Sequence, residues 1–157
     1  MQTGKSDLHP VVMLEAPGTG YWEPWLTFVN TLVDQGMIAA DDLNLFTVTS
    51  DLDEAISEIR SFYAAYHSQR YVDGDLILRL TAEPTDDQVD DLNEEFGDIV
   101  RTGRIAKTGP TPAEIASDDF VDLARLRFRF DRRQFGRLRC LIDRLNGTVR
   151  LGANESE

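Results

Sequence analysis

The chain has 157 residues, room for one domain or two small ones. Apolar residues at 41% and charged residues at 28% exclude a collagen-like, mucin-like or wholly disordered chain. Its 16 basic residues against 28 acidic ones give a net charge of −12, which argues against a nucleic-acid coat and makes nucleic acid an unlooked-for partner.

Pro10-Val11-Val12-Met13-Leu14 is a short continuous apolar run, the pattern of a strand buried on both faces. A loop, Glu15-Ala16-Pro17-Gly18-Thr19-Gly20, follows. Trp25, Phe28, Val29, Leu32 and Val33 then recur at helical spacing, with Pro24 in the first turn and Gly36 as the stop. Leu43 to Thr49 reads as a second strand. Asp51 and Glu54 stand at capping-box spacing and open a helix with the stripe Ala55, Ile56, Ile59, Phe62, Tyr63 and Tyr66. This β-α-β-α order implies parallel strands joined by a right-handed crossover.

Tyr71 to Asp75 reads as a turn and a domain boundary. Leu76 to Leu80 is a predicted strand. Thr85 and Gln88 form a second capping box, before a helix with Val89, Leu92, Phe96, Ile99 and Val100 on one face. Arg104 to Lys107 is a predicted short strand, and residues 108–119 a predicted loop. Arg125 to Phe130 alternates strictly, as a half-buried strand does, with Leu126, Phe128 and Phe130 inward and the arginines outward. Asp131 and Gln134 cap a last helix, with Phe135, Leu138, Leu141, Ile142 and Leu145 buried and Asn146-Gly147 ending it. The second unit is therefore expected to be β-α-β-β-α.

No apolar run approaches the ~18 residues of a membrane helix, and no signal-peptide core opens the chain, so no membrane partner is expected. Cys140 is the one cysteine, which rules out an intrachain disulfide and fits a reducing, cytoplasmic setting. Residues 41–100 hold 16 acids and 3 bases, whereas residues 121–150 hold 9 arginines and 3 acids. The expectation is that the two blocks offset each other inside one fold. Two strands like Val11–Leu14 and Leu45–Val48 cannot cover both faces and both edges of a parallel sheet. Gln2-Thr3-Gly4-Lys5 moreover reads as the end of a helix lying before Met1. The chain is expected to begin inside a fold, and to self-associate through the unfinished part.

Gln2-Thr3-Gly4-Lys5, Pro10-Val11-Val12, Tyr21-Trp22-Glu23-Pro24-Trp25-Leu26 and Gly36-Met37-Ile38 resemble the last third of the LOG family. These are Rossmann-fold proteins formerly called lysine decarboxylases, whose characterised members are cytokinin riboside 5′-monophosphate phosphoribohydrolases. Leu92 to Phe96, Gly103-Arg104-Ile105 and Phe128 to Ile142 resemble the C-terminal extension of the larger bacterial members. The resemblance implies hydrolysis of the N-glycosidic bond of a nucleoside 5′-monophosphate, with no cofactor. It also implies accessory substrate contacts from Gly4, Lys5, Tyr21 and Trp22, and a homo-oligomer. The family's P-G-G-x-G-T-x-x-E signature, which holds phosphate and supplies the catalytic glutamate, occurs nowhere in these 157 residues. No catalytic residue is therefore assigned.

The remaining candidates have plain structural readings. Pro17-Gly18-Thr19-Gly20 lacks full dinucleotide-binding spacing and reads as a strand-to-helix turn. His9 and His67 have no metal-like companions, His67 being placed at a helix end, and no metal is expected. Cys140 reads as a packing residue, although nearby arginines could lower its pKa. The arginines from 125 to 139 read as a solvated or internally paired face rather than an anion or RNA site. The doublets Asp41-Asp42, Asp86-Asp87, Asp90-Asp91 and Asp118-Asp119 read as solvated surface.

The expected fold is α/β, with residues 1–70 the C-terminal β-α-β-α portion of a Rossmann-like domain, 71–150 a small α/β module and 151–157 a disordered tail. The leading functional expectation is a portion of a LOG-like nucleotide-processing protein, inactive by itself. The alternative is a non-enzymatic ligand-sensing or dimerisation module.

Overall fold

The computed structural model describes residues 7–154, and side chains as far as residue 147. The fold is α/β and contains two sheets. The first is a parallel pair, β1 (Val11–Leu14) and β2 (Phe46–Thr49), in register from Val11 opposite Phe46 to Leu14 opposite Thr49. Helix α1 (Glu23–Asp34) joins them, with Pro24 in its first turn as predicted. Trp25 of α1 packs edge-on against Phe46 with 4.6 Å between ring centroids. The predicted second strand starts later than expected, because residues 40–45 form a 3-10 turn before β2.

Helix α2 (Leu52–Phe62) begins at Asp51, whose carboxylate accepts from the N–H groups of Asp53 (2.7 Å) and Glu54 (3.1 Å). The reciprocal half of the box does not form. Glu54 instead accepts from the Thr49 hydroxyl, and the same Thr49 oxygen accepts from Asp51 N–H at 3.0 Å. Tyr66 is not part of this helix. It opens β3 (Tyr66–Val72), which pairs antiparallel with β4 (Asp75–Leu80). The expected boundary between residues 70 and 71 therefore falls inside a hairpin. Asp73 and Gly74 are its turn, both with positive φ (51° and 86°), the geometry of a tight two-residue connection.

The second sheet has the strand order β3-β4-β6-β5, where β5 is Ala106–Lys107 and β6 is Ala124–Phe128. Helix α3 (Asp86–Phe96) starts at the predicted box, with Gln88 N–H donating to Thr85 Oγ1 and Thr85 N–H to Gln88 Oε1. Residues 108–119 are not all loop, since Pro112–Ser117 form a short helix, α4, capped by Thr111. The last helix, α5 (Phe135–Asn154), starts beyond Asp131, because residues 131–134 form a turn in which Gln134 N–H donates to Asp131 O. It continues past Asn146-Gly147, since glycine lowers helix propensity without breaking a helix. Residues 151–154 lie in α5 rather than in a tail, and 155–157 are outside the described residues. The C-terminal module is thus β-β-α-β-α-β-α rather than β-α-β-β-α.

The core lies almost wholly on one face of this second sheet. Leu76, Leu78 and Leu80 of β4, with Leu126, Phe128 and Phe130, meet Val89, Leu92 and Phe96 of α3 and Leu138, Leu141, Ile142 and Leu145 of α5. All are buried. Among the described residues before β3, only Leu8 and Phe62 enter this cluster, with Leu45 packed at its margin. The parallel pair is only half-covered by comparison. Leu14 is 46% exposed and Phe28 59% exposed, and Val11, Leu52, Ile56, Ile59 and Tyr63 are also on the surface.

On β6 the alternation places Leu126 and Phe128 inward, while Arg127 stays 43% exposed and pairs with Asp75 at 2.6 Å. Phe128→Ala should therefore cost about 3–5 kcal/mol, the scale of a deleted buried aromatic. Arg127→Ala should cost less than about 1 kcal/mol, the scale of a surface ion pair. Urea denaturation of both variants checks this; a larger loss for the arginine change would mean that the faces of β6 are reversed.

Candidate functional site

In an open parallel sheet the chain reverses at the carboxyl ends of the strands, and ligands bind there. Here those ends are Leu14 and Thr49, joined by Glu15 N–H donating to Thr49 O at 3.0 Å. The loop after β1 turns back through Thr19, whose N–H and hydroxyl both donate to Ala16 O. Trp22 is fastened to the strand end twice. Its backbone N–H donates to the Glu15 carboxylate at 3.0 Å, and its indole Nε1–H donates to Leu14 O at 3.4 Å. Tyr21 stands 71% exposed, edge-on to Trp22 with 4.9 Å between centroids.

The arrangement offers an aromatic surface beside the strand ends. Its acidic groups have local duties: Glu15 holds Trp22, Glu54 bonds Thr49 and Asp51 caps α2. Sequence reading reached Tyr21 and Trp22 and missed Glu15 and the Thr49–Glu54 pair, which no motif spacing marks. Gly4 and Lys5 lie outside the described residues.

Residues 1–59 match a family model described as possible lysine decarboxylase. These residues are similar to a segment of the LOG family. The match ends inside α2, so β1, α1, β2 and most of α2 carry it. No curated protein and no solved structure matches the chain.

Beyond the matched segment the other candidates fall into structural roles. Among the described residues no group of three or more histidine, cysteine, aspartate or glutamate side chains could hold a metal. No helix among them is long and apolar enough to cross a membrane. His9 Nδ1 is 3.0 Å from the Tyr63 hydroxyl. His67 belongs to β3, not to a helix end, with Nδ1 3.0 Å from Ser68 Oγ and its ring against Phe120. Cys140 packs against the core cluster as expected, and its thiol pKa is not lowered by the arginines, because burial and then Asp41 push it up more than Arg137 pulls it down. Asn44 Nδ2 sits 3.2 Å from its sulfur.

The acidic and basic blocks do pair within the fold, through Glu58 with Arg139, Asp75 with Arg127 and Arg129, Asp98 with Arg137, and Asp91 and Glu95 with Arg144. The deepest pairing is one that sequence reading missed. Arg125 is not on a solvated face; it is fully buried on the sheet face opposite the apolar core, beside the equally buried Glu114 of α4. Arg79 forks onto Glu114 Oε1 through Nε (3.1 Å) and Nη2 (2.7 Å), and Arg70 stands 3.7 Å away. Thr111 donates its N–H (2.8 Å) and hydroxyl (2.9 Å) to Glu114 Oε2. The Thr111-x-x-Glu114 spacing was the available signal.

Burial alone would raise the Glu114 pKa. Donors from Thr111 and Arg79, and the charge of Arg125, outweigh it and hold the carboxyl at about 2. A depressed folded pKa adds stability that is present above the ordinary carboxylate range and lost as pH falls through it. The native chain should lose about 3 kcal/mol through this group between about pH 5 and pH 2. Glu114→Gln should be less stable at neutral pH by about 3–5 kcal/mol, since it removes the carboxylate beside buried Arg125 and leaves Arg79 only the part-exposed Asp119, and should show a flatter decline over that acid range. Urea midpoints of both chains against pH make the comparison; parallel curves would show that Glu114 does not carry the acid sensitivity.

Proposed function

We propose that the chain is the C-terminal portion of a LOG-like nucleotide-processing protein of the larger bacterial type. The reaction of the whole protein is hydrolysis of a nucleoside 5′-monophosphate. Water adds at C1′ of the ribose, the bond from C1′ to the base nitrogen breaks, and the base leaves with a proton as ribose 5-phosphate forms. The observation that carries this reading is the family match over residues 1–59, on a segment whose two parallel strands end beside an aromatic loop.

In this reading Tyr21 and Trp22 rim the substrate site, with Gly4 and Lys5 as further accessory contacts. None of the four performs the bond cleavage. That task requires backbone N–H groups that cradle phosphate and a glutamate, both supplied in the family by a glycine-rich segment absent from these 157 residues. The exposed apolar faces of β1, α1 and α2 suit further parallel strands and helices, or a second copy in a homo-oligomer. No cofactor enters the reaction, and its setting is the cytoplasm.

The test is release of free base from AMP and from a cytokinin monophosphate. The purified 157-residue chain should give no release above a blank. A chain extended upstream with the signature-bearing part of a LOG-family Rossmann domain should release base and ribose 5-phosphate. Turnover by the 157-residue chain itself, or inactivity of a well-folded extended chain, would overturn the proposal.

A further inference from the structure

Fourteen of the chain's 16 basic residues have described side chains, and 11 of these have a carboxylate within ion-pair distance. Among the described residues the three without one are Arg60, Arg101 and Arg132. With so many acids available, an unpaired arginine is unusual here. Arg101 and Arg132 line the same cleft, of about 540 Å³, together with Arg129 and Arg133. Asp131 is the one carboxylate in its lining.

Two chain segments, 99–101 and 129–133, carry these arginines, and backbone contacts lock the two together. Arg101 N–H donates to Arg129 O at 2.8 Å, Asp131 N–H donates to Ile99 O at 2.8 Å, and Val100 bridges Phe130. Arg129 lies across the hairpin turn, donating to Asp73 O (3.0 Å) and pairing with Asp75 (3.0 Å). Gly74 is what leaves room for it, since a Cβ there would stand 1.9 Å from Arg129 Nη1. Arg132 rests over the Tyr71 ring at 4.0 Å, which fixes its plane while the residue stays exposed. Arg133 is tethered to Asp131 at 3.3 Å.

Four guanidinium groups around one cleft repel one another, and neither Arg101 nor Arg132 has an internal anion to offset this. Guanidinium forks match the paired oxygens of a phosphate and bind it through charge-assisted hydrogen bonds. The cleft's volume is in the range of small-molecule sites. We propose that this cleft, between the β3–β4 turn and the segment before α5, binds a small ligand carrying a multiply charged phosphate group. The site is separate from the aromatic loop at the ends of β1 and β2, and the proposal does not depend on the nucleotide reaction above.

The experiment is calorimetric titration of the full chain with inorganic pyrophosphate, at ionic strength held constant with chloride. Saturable binding at one site is expected. Arg101→Ala and Arg132→Ala should each weaken it about tenfold or more, the scale of one lost charge-assisted contact. Arg60→Ala, which removes the same charge from α2, should leave it unchanged. Both cleft residues are exposed, and far-UV circular dichroism confirms that the variants are folded. Absence of saturable binding, or an equal loss in Arg60→Ala, would overturn the proposal. So would tight binding of a single-stranded RNA oligonucleotide that pyrophosphate fails to displace, since the partner would then be a polymer.

Discussion

At Gly136 the backbone of α5 lies directly against the carbonyl of Asp41, and the placement of both halves of the chain depends on that contact. A Cβ at Gly136 would stand 2.2 Å from Asp41 O and 2.5 Å from Asp42 N, so only glycine permits the approach. The Gly136 N–H donates to the Asp42 carboxylate at 3.3 Å. One turn further, Asn44 reaches Cys140, and Arg139 pairs with Glu58 and Asp143 while lying over the Phe62 ring. At Asn146 the side chain accepts from the N–H groups of Ala65 (2.8 Å) and Tyr66 (3.0 Å) and donates to Phe62 O (2.7 Å). One stripe of α5 thus fills the core of the antiparallel sheet while the neighbouring stripe holds the N-terminal segment.

Two consequences follow for stability. The antiparallel sheet is covered on both faces, by α3 and α5 over the apolar residues and by α4 over the Arg79–Glu114–Arg125 network. Antiparallel sheets need only one apolar face, and the second face here is closed by charge pairing. The parallel pair has the opposite character. Its residues are those of strands meant to be covered on both sides, yet Val11 and Leu14 face solvent, and Phe28 of α1 does so as well. Helix α2 and Trp25 of α1 pack against it, and the turn before β2 lies against α5. The aromatic loop sits on the part with the exposed apolar residues, and the arginine cleft on the part that holds the core.

Much of this was legible in the sequence because the signals were local. Val11–Leu14, the α1 stripe, the Thr85–Gln88 box and the alternation from Arg125 to Phe130 all report backbone state within a few residues. Strand β3 was not legible. His67, Ser68, Gln69 and Arg70 carry no apolar alternation, and they are a strand because β4 offers an edge beside them. Tyr66 fell on the helical stripe of Phe62 and Tyr63 by spacing, and its three rings do pack together, but across the α2–β3 turn. The Asp73-Gly74 pair was a hairpin signal whose first strand went unrecognised. Glu114 looked like one acid among many in a loop. Its burial is created by arginines drawn from positions 70, 79 and 125, which only the folded chain assembles.

The fold is anchored in the antiparallel module, and the N-terminal segment is held to it through α5 without a complete core of its own. Native-state amide hydrogen exchange resolved by residue tests this most directly, because it reports opening free energies along the chain. Amides of Leu76–Leu80 and Ala124–Phe128 should exchange only through global unfolding. Amides of Val11–Leu14 and Phe46–Thr49 should exchange through smaller openings, with visibly lower protection. Equal protection in both sheets would contradict the account, since the parallel pair would then be as well stabilised as the module that carries the core.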